Sequence, residues 1–218
     1  MTLSLRDSTN LVAYQSVQII PSSFSAMAIP NESTIANLAI GCWKNPAPAA
    51  HVERELIRLL FHATWVMCVP PSLFLMISFY IKDYLIEFLM KHKAENNDVI
   101  EIIRQELLLI FLLTIVRNAR SAAYAIVTSF VGTKDAYHER QNTRASLLNS
   151  AGSAIMLCLG FLLDITLGMG AYGFVMAAFI AFTLTWLGQV VLALQSIHYQ
   201  VHEAGQIPIV IEPGNSKR

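Results

Sequence analysis

The longest apolar segment of the chain runs from Ala151 to Leu194 and contains one charged side chain, Asp164. A glycine-rich stretch from Gly168 to Gly173 divides it into two halves. Each half has roughly the ~20 residues that a helix needs to cross ~30 Å of hydrocarbon. Because the break is so short, both outer ends must lie on one side of the bilayer. The pattern predicts a tight transmembrane helical hairpin at 147–195.

A second apolar segment, from about Leu59 to Ile81, contains no acidic side chain, lysine or arginine and predicts a first transmembrane span. Pro70 and Pro71 lie at its centre, where proline removes a backbone donor and clashes with the preceding turn. We therefore expect a kinked span; two half-helices that form a re-entrant element or a hinge are the alternative. The following residues, 83–93, are amphipathic and predict a connector along the membrane interface.

The region 99–131 combines apolar runs with a polar stripe. At 100° per residue, the polar side chains fall within about 100° of one helix face, opposite a face of Leu, Ile, Phe and Ala. The stripe consists of Glu106, Arg117, Arg120, Ser121, Tyr124 and Thr128. We expect a span whose polar face looks into the protein. A helix on the membrane surface and two short separate helices are the alternatives.

These segments predict an all-α integral membrane protein with about four transmembrane helices, including the C-terminal hairpin. Residues 51–131 then hold the kinked first span, the amphipathic connector and the polar-striped second helix, and a polar loop at 132–146 leads to the hairpin. Residues 1–50 are rich in Ser, Thr, Asn and Pro and are expected to form a loosely ordered N-terminal tail. Residues 196–218 are expected to be a polar C-terminal tail.

Composition agrees with a membrane class, since 55% of the residues are hydrophobic and only 14% are charged. The chain has 15 Lys+Arg and 15 Asp+Glu, and no basic run is interleaved with aromatic residues. Nucleic-acid binding is excluded on that ground. Three scattered cysteines, Cys42, Cys68 and Cys158, are expected to be small buried hydrophobes rather than a disulfide or metal framework.

With four spans, basic residues favour one side of the membrane. The side of both termini and the 132–146 loop has the larger number, and the positive-inside rule places that side in the cytoplasm. Near span ends or in short segments, this side has Arg54, Arg58, Lys134, Arg140, Arg144, Lys217 and Arg218, and the other side has Lys82, Lys91, Lys93 and Arg104.

Ionisable side chains inside a bilayer are costly and are usually paired or turned toward a cavity. Asp164 is expected roughly 6 Å, and Arg117 roughly 15 Å, from the same interface, so the two could form a salt bridge. We take Glu106, Arg117, Arg120 and Asp164 as a candidate intramembrane polar cluster and binding site. A salt bridge that only docks the second helix on the hairpin is expected; a proton or ion relay and an Asp164 side chain that reaches the interface are alternatives.

Small residues recur along the first helix of the hairpin and would allow a neighbouring helix to pack closely. They are Gly152, Gly160, Gly168 and Gly170, with Ala151 and Ala154. Packing within the hairpin is expected, and contact with a second copy of the chain is the alternative.

His198 and His202 are one helical turn apart, with Glu203 adjacent, so the two imidazoles could share a divalent metal. No third ligand is evident in the sequence near them. We therefore predict no metal site.

The sequence has no motif for catalysis or cofactor binding: it has no glycine-rich phosphate loop after a strand, no convincing Ser/His/Asp order and no Cys-x-x-Cys. We predict neither enzymatic activity nor a cofactor. We expect a membrane scaffold or interaction component that is embedded in the lipid bilayer, with a membrane-protein partner or a second copy of itself as possible partners. A small transporter or channel component, with the polar stripe along a wet path, is the alternative.

A Ser/Thr-rich tail at 1–50, which lacks a signal peptide, and the paired apolar lobe at 151–194 resemble the layout of the inclusion-membrane proteins that chlamydial bacteria secrete into host membranes. The resemblance rests on layout, not on a sequence motif, and the two apolar segments between these regions depart from it. It implies a further alternative, a bacterial secreted protein inserted into a host membrane.

Overall fold

The computed structural model of this chain describes residues 32–44, 47–90, 97–130 and 135–203, which form five α-helices and no β-strand. Four helices, α2 to α5, contain a segment long and apolar enough to cross a membrane, which confirms the helical class and the four predicted apolar helices. The helices are α1 (32–43), α2 (Ala49–Met90), α3 (Asn97–Ser129), α4 (Ala136–Leu167) and α5 (Gly170–His202).

The long helices pack in the order α2, α3, α5, α4, so that α3 and α5 are central. Consecutive helices along the chain run antiparallel, whereas α3 and α5 run parallel. One end of the bundle, which we call the polar end, carries the starts of α2 and α4 and the ends of α3 and α5. The other end, the turn end, carries the link between α4 and α5.

The predicted hairpin is formed by α4 and α5, with Gly168 and Met169 between them. Gly168 ends α4 in the left-handed conformation (φ 62°), and its N–H donates to the Asp164 carbonyl at 3.0 Å. A residue with a Cβ would be strained at this position, which explains why the turn requires glycine.

Small residues allow α4 and α5 to approach closely. Gly152 lies against Thr185, and a Cβ on Gly160 would lie 2.6 Å from Cδ1 of Phe174. Two glycines of the predicted small-residue series thus pack within the hairpin, as expected. Ala151 and Ala154 are exposed on the outer side of α4.

Helix α2 continues through Pro70 and Pro71, and its non-helical dihedral angles lie at Ile81 (φ −114°, ψ 17°). The alternative of two half-helices separated at the prolines is therefore wrong, and the irregular dihedral angles lie at the end of the predicted span rather than at its centre. Pro71 removes the N–H that would bond the Met67 carbonyl, but Nδ2 of Asn118 on α3 donates to that carbonyl at 3.4 Å. A neighbouring helix thus supplies the missing donor.

Helix α3 is a single helix, so the interpretation of 99–131 as two short helices is wrong. The predicted loop at 132–146 is also wrong, because α4 begins at Ala136. Asp135 caps this helix, since its carboxylate accepts from the Tyr137 N–H at 2.9 Å, and Glu139 lies in the first turn. The first turns of α4 are polar, and this polarity is the reason that the sequence pattern predicts a loop there.

The two predicted tails are helical where they adjoin the bundle. Within the 1–50 tail, α1 buries Ile35 and Ala39 in the main apolar cluster against α2 and α3. Within the 196–218 tail, α5 continues to His202. Predictions for 1–31, 91–93 and 204–218, including Lys91, Lys93, Lys217 and Arg218, lie outside the described residues.

Candidate functional site

The polar stripe of α3 is only partly packed against other helices. Glu106 is buried (1% exposed), whereas the other five stripe residues are half-buried. The Thr128 hydroxyl donates to the Tyr124 carbonyl of its own helix. The Arg120 guanidinium lies over the Phe182 ring of α5, 4.7 Å from the ring centroid. This arrangement is a cation–π contact between the two central helices.

The four residues of the predicted intramembrane cluster lie at different depths. The Asp164 backbone lies beside Gly173, whereas Arg120 lies beside Phe182, nine positions further along α5. At 1.5 Å per residue this offset is about 13 Å, and it is about 9 Å for Arg117, which precedes Arg120 by one turn. In a salt bridge, the Asp164 and Arg117 side chains would have to span the offset of about 9 Å along the helix axes. This salt bridge stays a prediction.

Glu106 lies near the turn end of the bundle, 14 residues before Arg120. Both of its carboxylate oxygens are buried and accept no hydrogen bond from a described residue. A buried carboxylate without hydrogen bonds is unfavourable in its charged form. Among the described residues, Glu106 is the one stripe residue whose buried side-chain oxygens have no hydrogen-bond partner.

A second group of polar side chains joins α4 to α5 at the polar end. Nε2 of His138 lies 2.8 Å from Oε1 of Gln200, and the His138 ring stacks on Phe130 with centroids 5.0 Å apart. Nε2 of Gln141 donates to the Tyr137 hydroxyl at 2.7 Å. Nε2 of Gln141 also donates to Oε1 of Gln195 on α5 at 3.5 Å, so the His138–Gln200 and Gln141–Gln195 contacts hold the two helices in register.

An open cavity of about 510 Å³ lies beside this group. Aromatic, amide, basic and acidic side chains line it: Tyr137, Gln141, Arg144, Leu194, Gln195, His198, Tyr199 and Glu203. Because its walls offer hydrogen-bond donors and both signs of charge, the cavity suits a polar segment of a partner better than an apolar ligand.

At the same end, the Glu53 carboxylate of α2 contacts both histidines near the end of α5. Nε2 of His202 lies 2.9 Å from Oε2, and Nδ1 of His198 lies 3.4 Å from Oε1. The three ligand atoms all lie within 4.8 Å of one another. The structure thus supplies a third group that could ligate a metal with the two histidines.

In the sequence only Glu203 is adjacent to these histidines, and no third ligand, Glu53 included, is evident near them. Glu203 is exposed and follows the last residue of α5. Glu53 is 145 positions before His198, and nothing in the local sequence around it differs from the charged flank of an ordinary span. Only the arrangement that brings the start of α2 to the end of α5 identifies it.

Comparison with protein-family models, with curated protein sequences and with solved structures gave no match to this chain.

Proposed function

We propose that this chain is an integral membrane protein that crosses the bilayer four times with helices α2 to α5. The outward apolar surface supports this proposal. Helix α4 packs almost entirely on α5, and its outer face exposes large side chains that would be unfavourable in water. These include Leu147, Ile155, Leu157, Phe161, Leu162, Ile165 and Leu167, each at least 41% exposed.

We propose further that the protein is a scaffold or interaction component. The observation that carries this proposal is the contact that two polar side chains of α3 make with neighbouring helices. Asn118, which lies outside the stripe, donates to a carbonyl of α2, and Arg120 of the stripe lies on a ring of α5. A solute path would instead need such groups to face water.

The polar end is the surface that we propose for a macromolecular partner. It carries the cavity lined by Arg144, Gln195 and Glu203, whereas the outer face of α4 is apolar and suits lipid or another transmembrane helix. Charge supports a cytoplasmic location for this end and for both termini, because Arg54, Arg58, Arg140 and Arg144 all lie in the first turns of α2 and α4.

Cysteine accessibility tests the scaffold against the transporter alternative. In a variant without Cys42, Cys68 and Cys158, single cysteines replace Ser121, Tyr124 or Thr128 of the stripe. A water-soluble maleimide is expected to leave all three unlabelled in native membranes and to label them after solubilisation in SDS. Labelling along the whole stripe in native membranes would favour a wet path and contradict the scaffold.

Two positions on α4 serve as matched controls in the same background. Leu162→Cys lies on the outer apolar face and is expected to stay unlabelled, whereas Arg144→Cys at the polar end is expected to react. In sealed vesicles of known orientation, Arg144→Cys should react only from the cytoplasmic side. Reaction of Leu162→Cys in intact membranes would contradict insertion of the hairpin.

A further inference from the structure

We infer that Glu53, His198 and His202 form a binding site for a divalent transition-metal ion such as Zn²⁺. Two imidazole nitrogens and one carboxylate oxygen form a donor set that Zn²⁺ accepts in proteins. The site joins the second turn of α2 to the last turns of α5 at the polar end of the bundle.

The geometry is close to that of a bound ion. Zinc–ligand distances of about 2.0–2.2 Å in a tetrahedral site place ligand atoms roughly 3.3 Å apart. Each imidazole nitrogen lies near this spacing from one of the two Glu53 oxygens, His202 at 2.9 Å from Oε2 and His198 at 3.4 Å from Oε1. All three donor atoms lie within 4.8 Å of one another, so a small change of side-chain rotamers would bring them onto one ion.

The two histidines present different nitrogens on one helix face. Their rings lie 4.7 Å apart, with Nδ1 of His198 and Nε2 of His202 directed to Glu53. Residues four apart on a helix share a face, so the backbone of α5 already positions both donors. Glu53, from another helix, completes a face of three ligands.

Partial exposure makes the site accessible to an ion and to water. The side chains of His198, His202 and Glu53 are 64%, 39% and 29% exposed. Three protein ligands leave a fourth tetrahedral position for water or for a group of a partner. His198 also lines the open cavity at the polar end, so such a group could approach from that side.

A metal at this position would link α2 to the C-terminal hairpin of α4 and α5. Helix α2 packs mainly on α3 and touches α5 much less. An ion held by both α2 and α5 would fasten α2 to the hairpin, and its binding would stabilise the folded state by mass action.

Metal titration of the full-length protein in detergent micelles tests this inference. After removal of metal with EDTA, Zn²⁺ is titrated in competition with a chromophoric chelator, and Co²⁺ is used as a spectroscopic probe. We expect one ion per chain, d–d absorption of a four-coordinate Co²⁺ complex and a higher Tm with Zn²⁺. Absence of stoichiometric binding would show that Glu53 and the histidines form hydrogen bonds only, and would overturn the inference.

Single substitutions assign the ligands. Glu53→Gln, His198→Ala and His202→Ala are each expected to lower the Zn²⁺ affinity at least about tenfold. His51→Ala, an exposed histidine on α2, and Glu203→Gln, the carboxylate beside His202, are the matched controls and should keep wild-type affinity. Wild-type affinity in all three ligand variants, or an equal loss in the controls, would overturn the assignment.

If a ligand variant fails to fold, the wild-type protein is used to identify the metal ligands. Zinc K-edge absorption spectroscopy of the loaded wild-type protein should then show two imidazole nitrogens and oxygen ligands. A first shell with sulfur, from the cysteines, would overturn the site.

Discussion

Nδ2 of Asn118 on α3 donates a hydrogen bond to the backbone carbonyl of Met67 on α2, at 3.4 Å. Met67 lies four residues before Pro71, so its carbonyl has no helical donor. The Asn118 side chain is buried and belongs to the same helix as the polar stripe. One polar side chain of α3 therefore compensates for Pro71, one of the two consecutive prolines that α2 contains.

Replacing Asn118 by Ala should lower the free energy of unfolding by about 1–2 kcal/mol, because the Met67 carbonyl is left buried without a donor. The loss should be much smaller in a Pro71→Ala background, where the N–H of residue 71 can bond Met67 again. Reversible unfolding in mixed detergent micelles measures the free energy of unfolding of the wild type, the two single variants and the double variant. The cost of the cavity left by Asn118→Ala is the same in both backgrounds, so it cancels in this double-mutant cycle.

Pro70→Ala is the matched control for this cycle. It restores an N–H one residue away, whose helical acceptor is the Val66 carbonyl, so Asn118→Ala should cost its full amount there. An equal cost of Asn118→Ala in the Pro71→Ala and Pro70→Ala backgrounds would contradict the compensation.

Two glycine substitutions are expected to have opposite effects on stability, because only one of the two glycines lies in the packed interface between α4 and α5. Gly160→Ala places a methyl group 2.6 Å from the Phe174 ring, and overpacking of this kind costs about 1–3 kcal/mol. Gly41→Ala on α1 meets nothing within 4 Å and should be neutral or slightly stabilising, because alanine favours a helix by up to about 1 kcal/mol. Thermal unfolding followed by circular dichroism compares the two; equal Tm values would rule out the close approach at Gly160.

The contact of Arg120 with Phe182 predicts energetic coupling between the central helices. Arg120→Met and Phe182→Leu should each destabilise the bundle, and the double variant should lose about 1 kcal/mol less than the sum. Arg140→Met, which removes an exposed arginine at the start of α4, should be additive with Phe182→Leu. Additivity in the Arg120 cycle would show that the guanidinium gains nothing from the ring.

Features that depend on local sequence could be predicted. Four helices follow from apolar length, and the position of the hairpin turn follows from Gly168, whose left-handed conformation any other residue would strain. The start of α4 could also have been predicted, because Asp135 followed by Glu139 is a helix N-terminal signal. The polarity of 132–146 favours a loop over the same residues, and it conceals this N-terminal signal.

Features that depend on which helices become neighbours could not be predicted. Continuity of α2 depends on Asn118, 51 positions after Met67, and the third metal-ligating group depends on the start of α2 meeting the end of α5. Burial of Ile35 and Ala39 in α1 depends in the same way on surfaces of α2 and α3. No periodicity within one segment carries this information.

Cys42 on α1 provides a test of how α1 docks on α2. Burial, and secondarily the negative charge of Glu55, raise the pKa of the Cys42 thiol above its ordinary value. Because a raised pKa lowers the fraction of reactive thiolate at a given pH, Cys42 in a variant with Cys68→Ala and Cys158→Ala should react slowly with iodoacetamide. The midpoint of its pH–rate profile should lie above about 8.5, the value of a free thiol.

Glu55→Gln removes the neighbouring charge and should move this midpoint part of the way back. Most of the shift should remain, because burial is the larger cause. Glu139→Gln removes an exposed carboxylate from α4 and should leave the profile unchanged, and solubilisation in SDS should abolish the shift in every variant. A midpoint at or below the free-thiol value in the folded protein would mean that α1 does not pack against α2 as described.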